Sequence, residues 1–295
     1  MSEDKHPVIG FIGLGVMGEP MCRNLVLKLS AKVVAFDVTD APLQRLAQDG
    51  VEGLSSAGAV MDRSDVVFLS LPSGEVVDRL CRQPEGLLAH AREGQIVIDL
   101  STSPVDTTRE LHRAFAVKHV LFVDAPVART RAAAESGTLA LMVGAQPDVF
   151  ETIKPLIATF ASDITLCGPV GCGQVLKILN NMVLFETVVA ISEAKAIGEQ
   201  SGVLPGALFE TLSKGSADSF ALRNHGMKAI VPGEFPERAF SVHYALKDLK
   251  YALKLAQDTG VDARGAQVVQ GWFEKAVEEG LGEQYHPVIS QLMSR

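Results

Sequence analysis

At 295 residues the chain exceeds the usual size of one domain, and two are expected. Apolar residues make up 47% and charged residues 21%, a balance that fills a core and excludes disorder, collagen-like order and low complexity. A net charge of -8 argues against a general nucleic-acid role, which needs a basic face for the phosphates.

Up to about residue 167, short apolar runs alternate with amphipathic stretches. The runs at 8–12, 32–36, 66–70, 95–99, 120–124, 139–143 and 164–167 read as strands, several apolar throughout, as strands covered on both faces must be. Helical spacing lies between them, for example at 21–29, 41–48 and 107–117. This alternation predicts an α/β fold with a doubly wound, mostly parallel sheet. After the glycine cluster 168–173 the strand signals stop. A proline-free helical segment, 174–200, would span about 40 Å at about 1.5 Å per residue. Further helices are expected at 205–213, 220–230, 242–258, 264–279 and 286–293, so the C-terminal part reads as all-α. The boundaries drawn are 1–167 and 168–295, with the long helix joining the two.

Cys22, Cys81, Cys167 and Cys172 form no C-x-x-C pair and no ligand spacing with histidine, so reduced thiols and no metal site are expected. The first residues are charged where a signal peptide is apolar, and VIGFIGLGVMG is too short and glycine-rich to span a bilayer. A cytoplasmic protein without membrane attachment is expected.

Gly13-Leu14-Gly15-Val16-Met17-Gly18 is a G-x-G-x-x-G between a strand and a helix. There the glycines allow a tight turn and close approach of a pyrophosphate, which sits at the helix N-terminus. The next apolar run ends in Asp37, roughly 20 residues on, where a carboxylate accepts the ribose hydroxyls of NAD and repels the 2′-phosphate of NADP. NAD is therefore the expected cofactor, NADH being preferred over NADPH. Later strand ends carry Leu71-Pro72-Ser73, Ser101-Thr102-Ser103-Pro104 and Asp124-Ala125-Pro126, residues that line a nicotinamide pocket or serve any strand-to-helix loop. Of these, Leu71, Pro72 and Thr102 are expected at the cofactor and Ser101 at the substrate.

Lys177, Asn180 and Asn181 share one helical face at i, i+3 and i+4, embedded among Leu176, Ile178, Leu179, Met182 and Val183. A lysine there either meets an anion or a reacting group, or it extends out to water at the domain edge. In an apolar setting an ammonium gives up its proton more readily, as hydride chemistry on an alcohol requires of its partner. Lys247-Asp248 reads as a solvated charged pair, His243 as surface or helix filler and Trp272 as core. In DAPVARTRAAAESG, Arg129 is either an anion holder or a solvated loop residue, and Arg131 is surface charge.

These motifs resemble the β-hydroxyacid dehydrogenase family along essentially the whole chain. GFIGLGVMGEPM is similar to its opening and STSP to its second signature. GPVGCGQVLKILNNM fits G-x-x-G-x-G-x-x-x-K-x-x-x-N, and FSVHYALKDLKYAL fits its late K-D-L helix. The resemblance implies a Rossmann domain followed by an α-helical domain for substrate binding and oligomerisation, and a homodimer or homotetramer. It implies that Lys177 is the catalytic general acid/base, that Asn180 and Asn181 bind substrate, and that Lys247 approaches the cofactor. One motif departs: the family's D-A-P-V-S-G-G here reads Asp124-Ala125-Pro126-Val127-Ala128-Arg129-Thr130. This loop resembles that of 3-sulfolactaldehyde reductases, which implies Arg129 and Thr130 as holders of a sulfonate. The expected reaction is NADH-dependent reduction of 3-sulfolactaldehyde to 2,3-dihydroxypropane-1-sulfonate. The alternative is a carboxylate substrate, as in a 3-hydroxyisobutyrate dehydrogenase or a tartronate semialdehyde reductase. A non-catalytic dinucleotide-binding protein is the reading from another class, and Lys177 argues against it.

Overall fold

The computed structural model describes residues 7–237 and 239–293; the charged N-terminal stretch read above lies outside them, apart from Pro7. By packing, the chain divides into two units, Met1–Lys177 and Ile178–Arg295. The division falls inside the long helix rather than at the glycine cluster before it.

The first unit is built on one sheet of strands β1 (Ile9–Ile12), β2 (Val33–Phe36), β3 (Glu52–Gly53), β4 (Val66–Leu69), β5 (Ile96–Asp99), β6 (Leu121–Asp124), β7 (Val127–Ala128), β8 (Leu139–Gly144) and β9 (Ala161–Gly168). The order is β3-β2-β1-β4-β5-β6-β8-β7, with β9 on the other edge of β8. All pairings from β3 through β6 are parallel. β8 runs antiparallel to β6 and to β7, and β9 follows β8 in parallel. The sheet is thus doubly wound and mostly parallel, as the alternation of runs predicts. Two short strands went unread, β3 and β7, each two residues long and too brief to show a period.

Alternating side chains from the same strands fill cores on both sheet faces. Ile9, Phe11, Phe68, Ile98 and Val123 pack on one, and Ile12, Val34, Val67, Leu69, Val97 and Phe122 on the other. Period 2 combined with burial on both sides explains runs that are apolar without interruption. The winding reverses between β1 and β4, since the chain leaves β1 toward β2 and β3 and returns on the opposite side. A ligand in such a sheet binds outside the carboxyl ends of the strands at that reversal.

The second unit is helical. It holds most of the helix Cys172–Gln200, followed by Pro205–Leu212, a π-helix at Leu222–Ile230, Val242–Thr259, Arg264–Glu278 and a 3₁₀ turn at His286–Gln291. Phe185, Phe209, Leu222, Leu249, Phe273 and Ile289 form its core, with Trp272 packed partly buried against it. Helix Val242–Thr259 starts at Ser241, whose hydroxyl accepts from the Tyr244 N–H, and stops at Gly260 in the left-handed conformation. The segment expected as a helix at 220–230 is therefore of π type, a departure that apolar spacing does not register. The long helix is apolar enough to cross a bilayer, with a mean hydropathy of 1.5. Its Ile178, Phe185, Val188 and Ile191 are instead buried in the protein.

Candidate active site

The three glycines of the opening loop do different work. Gly13 has φ +92°, and a Cβ there would lie 2.3 Å from the Ser70 carbonyl oxygen, so the turn at the reversal point needs glycine twice over. A Cβ at Gly18 would lie 2.0 Å from the Gly13 carbonyl oxygen, which lets helix Gly18–Lys28 close onto the strand. At Gly15 a Cβ would meet nothing within 4 Å, and Gly15 and Val16 are exposed at the tip. Backbone is presented there without side-chain cover. The helix behind it begins at Gly18 with no side-chain cap at Met17, which leaves its positive end without a protein side chain on it. Leu14 and Met17 serve the loop by packing into the core, Leu14 being 3% exposed. These features fit a dinucleotide pyrophosphate.

Asp37 stands at the end of β2 and ties the loop together. Its Oδ2 accepts from the Leu14 N–H at 2.6 Å, and its Oδ1 accepts from the Thr39 N–H and hydroxyl, each at 2.8 Å. The residues after it, Val38, Thr39 and Asp40, supply no cation for a 2′-phosphate.

The ends of β4, β5 and β6 are joined by a buried polar network. Asp99 accepts from the Ser101 N–H and the Ser103 hydroxyl, both at 2.9 Å. The Ser101 Oγ accepts from the Leu71 N–H at 2.9 Å. Gln174, wholly buried, accepts from the Ser103 N–H at 3.0 Å and donates to the Ser101 carbonyl at 2.8 Å. Asp124, also wholly buried, accepts from the N–H groups of Gly171 at 2.7 Å and Gln174 at 2.8 Å. Burial pushes the Asp124 carboxyl up to about 6, against the pull of those two bonds. Thr102 is half-buried beside Ser101, and Leu71 and Pro72 lie at the neighbouring strand end. Lys177, half-buried, follows Gln174 by one turn on the same helix.

Within the second unit Asn181 is 2% exposed; it donates to Asp248 Oδ2 at 2.7 Å and accepts from Asn180 Nδ2 at 3.1 Å. Asp248 is 3% exposed, and its Oδ1 lies 3.0 Å from Lys247 Nζ. Lys247 also sits over the rings of Tyr244 and Tyr251, at 5.7 and 5.4 Å from their centroids. Lys247-Asp248 is therefore no solvated pair, as its sequence suggests, but a buried acid holding the side chains of Asn181 and Lys247 at once. Sequence reasoning also missed Gln174, a polar residue at the head of an apolar run, and the capping role of Asp124.

Arg129, expected on an anion, is occupied elsewhere. Its Nη1 donates to the Thr138 carbonyl at 2.7 Å and to Ser162 Oγ at 3.1 Å, and its Nη2 lies 2.7 Å from Asp163 Oδ2. Its φ of +85° is the conformation that the family's glycine adopts freely and an arginine does not. The preceding Val127 and Ala128 are β7, paired with Leu141 and Ala140, so part of the expected loop is strand. Thr130 is exposed ahead of helix Arg131–Ser136, and Arg131 pairs with Glu135 on the surface at 2.8 Å. Among the described residues, no group of three His, Cys, Asp or Glu is placed to hold a metal.

Residues 8–168 match the family described as the NAD binding domain of 6-phosphogluconate dehydrogenase. Residues 171–293 match the NAD-binding region of NADP-dependent 3-hydroxyisobutyrate dehydrogenase. The chain is 34% identical over 281 residues to 2-(hydroxymethyl)glutarate dehydrogenase of Eubacterium barkeri, covering 95% of this chain and 93% of that one. It is 34% identical over 257 residues to 3-hydroxyisobutyrate dehydrogenase of Pseudomonas aeruginosa, covering 84% and 85%. The solved 3-hydroxyisobutyrate dehydrogenase of Mycobacterium tuberculosis, with L-serine, is similar with a TM-score of 0.90 at 30% identity, over 98% of this chain and 100% of that one. A glycine loop built for a dinucleotide and these matches along the whole chain agree: the protein belongs to the β-hydroxyacid dehydrogenase family, NAD(P)-dependent dehydrogenases acting on a CH–OH group.

Proposed function

We propose that the protein interconverts a short β-hydroxy acid and its semialdehyde, using NADH in preference to NADPH and Lys177 as the proton donor and acceptor. One observation carries this reading. Lys177 stands half-buried on the helix whose first turn is bonded to the ends of β5 and β6, at the same end of the parallel sheet as the glycine loop. The bound nicotinamide supplies or accepts the hydride. In reduction the Lys177 ammonium gives its proton to the aldehyde oxygen, and in oxidation the free amine takes it from the alcohol. Ser101 and Thr102, Asn180 and Asn181 are the groups that orient the acid and hydroxyl oxygens. Lys247 supplies positive charge near the cofactor. The preference for NADH rests on Asp37 and on the missing cation after it. A cytoplasmic homodimer or homotetramer belongs to the same reading; the four unpaired cysteines support its cytoplasmic part alone.

The acid is the finer question. A carboxylate substrate of the 3-hydroxyisobutyrate or tartronate semialdehyde kind fits a site in which the Arg129 fork is neutralised by Asp163. The sulfonate of 3-sulfolactaldehyde is the second reading, and one observation favours it. Arg129 and not glycine holds a left-handed position, a backbone cost that a working side chain would justify. For sulfonate binding, Arg129 would have to leave or share Asp163 and act with Thr130.

Initial rates of NADH oxidation with methylmalonate semialdehyde, tartronate semialdehyde and 3-sulfolactaldehyde separate the two. A kcat/KM higher for the sulfonate by tenfold or more, lost in Arg129→Ala, selects the second reading. Lys177→Met lowers kcat by about 10²–10⁴-fold while NADH still binds. Retained turnover refutes the assignment of Lys177.

A further inference from the structure

We propose that Asp124 and Gln174 are positioning residues for Lys177: they lock the first turn of helix Cys172–Gln200 onto the strand ends, and loss of the Asp124 charge releases that turn. This rests on the reading of Lys177 as the proton donor.

The first N–H groups of a helix have no partner within it, and here two donors at this helix start, Gly171 and Gln174, are given one carboxylate. A negative charge at that end also meets the positive end of the helix dipole. The Gln174 side chain fastens the same turn a second time, to both sides of the Ser101–Ser103 segment. Lys177 is three residues further on, so its backbone is fixed within a turn of four buried bonds.

The surroundings are shaped for the carboxylate. A Cβ on Gly144 would lie 2.3 Å from Asp124 Oδ1, and one on Gly173 would lie 2.8 Å from Oδ2. These two glycines leave room for the acid and for nothing larger. An amide would not substitute, because its NH₂ would face an N–H donor. Protonation has a related effect, leaving one good acceptor oxygen for two donors.

Burial, with a smaller contribution from the Asp99 carboxylate, its partner across β5 and β6, raises the Asp124 carboxyl to about 6 against the backbone bonds that lower it. Among the described residues, the titratable or charged groups facing it from the packed elements include Cys167 on β9, Cys172 and Lys177 on the helix, Arg109, which lies against Gly171, and His112, whose ring bonds the Phe122 carbonyl on β6. The charged cap is therefore lost within the range in which the protein can be assayed.

The test follows the reduction of tartronate semialdehyde by NADH from pH 5 to 8, together with amide hydrogen exchange in the segment 171–180. Reduction consumes a proton and needs Lys177 protonated, so the chemistry alone predicts no fall on the acid side. The expected result is a fall in kcat below a midpoint near pH 6, with a loss of protection in 171–180, measured against the intrinsic exchange rate at each pH, over the same range. Asp124→Asn is expected to lower kcat about 10–100-fold, as a displacement of reacting groups by about 1 Å does, to abolish that midpoint, and to leave the Kd for NADH unchanged. Gln174→Leu, which keeps the carboxylate, lowers kcat while retaining the midpoint, and it serves if Asp124→Asn does not fold.

Protection factors in 171–180 that stay constant with pH, or wild-type kcat in both variants, overturn the proposal. Lys177→Met separates the two readings. If Lys177 is not the proton donor that variant keeps its turnover, whereas the exchange result for Asp124 stands on its own.

Discussion

The buried pair Asn181–Asp248 offers a quantity that the structure fixes and an experiment can isolate. Asp248→Ala removes an acceptor from an amide that is 2% exposed and takes the counter-charge from Lys247. A hydrogen bond to a charged group contributes about 1.5–3 kcal/mol, and a buried donor left without an acceptor costs about 1–3 kcal/mol. The Lys247 side chain is 21% exposed and retains water and two aromatic rings, so its loss is counted at the low end, below about 1 kcal/mol. The first two figures describe the same lost bond and are not summed, so with the Lys247 contribution Asp248→Ala should be about 1–4 kcal/mol less stable than the wild type. Asn181→Ala should cost about 1–3 kcal/mol, since the acid it abandons still faces Lys247. The double variant then measures the pair directly. Urea unfolding of the four proteins should give a coupling of about 1.5–3 kcal/mol, far above the additivity error of roughly 0.5 kcal/mol. A coupling below that error would mean that the two side chains do not share a bond, and the description of Asp248 as the residue holding Asn181 would be wrong.

Gly13→Ala forces a Cβ to within 2.3 Å of the Ser70 carbonyl at φ +92°, and should cost at least about 2 kcal/mol in thermal unfolding and weaken NADH binding in a fluorescence titration. Wild-type binding would show that the loop has another route. Asp37→Ala should lower the ratio of kcat/KM for NADH over NADPH by about tenfold, or about 1.4 kcal/mol, in paired initial-rate assays; an unchanged ratio removes Asp37 from cofactor choice. His225, buried and lowered from 6.5 to about 4, binds a proton more readily unfolded than folded. Its contribution is complete above about pH 6.5 and is lost as pH falls toward 4, at up to about 1.4 kcal/mol per pH unit. A His225→Leu protein should show a shallower acid limb in chemical unfolding, and an identical limb would refute the assignment. Arg129→Gly relieves the backbone at φ +85° and gives up an exposed pair with Asp163 worth at most about 1 kcal/mol, so stability should stay within about 1 kcal/mol of wild type. A loss above about 3 kcal/mol would mean that the Thr138 and Ser162 contacts hold the sheet edge.

The sheet was legible because burial on both faces leaves a mark that period and length report together, as in Val66–Leu69 and Ile96–Asp99. The glycine loop was legible for a stricter reason. Its constraints are on backbone, and only one residue type meets them at Gly13. β7 escaped because two residues carry no period, and the reversal of β8 escaped because apolar runs have no direction. The π-helix at Leu222–Ile230 escaped similarly, since apolar spacing over nine residues does not separate a π-helical winding from an α-helical one.

At the candidate site, the sequence draws attention to side chains that stand out from their neighbours and passes over those that hold them in place. Lys177 and Asn181 stand out because a lysine or an amide in an apolar run has to be explained. Asp124, Gln174 and Asp248 look ordinary in sequence, the first a strand end, the second a helix start, the third half of a charged dipeptide. Each turns out to be at most 3% exposed and bonded across distances that no local pattern spans, 47 residues from Asp124 to Gly171 and 67 from Asn181 to Asp248. A buried acid is tolerable only where several donors converge on it, and convergence is a property of the fold. Arg129 shows the same dependence on the fold. Its sequence neighbours promise an anion, yet its guanidinium finds Asp163 on β9, and the residue that decides this lies on a strand the loop motif does not contain. Specificity in this family site is therefore better sought in what each polar side chain is already bonded to than in which side chains the motif displays.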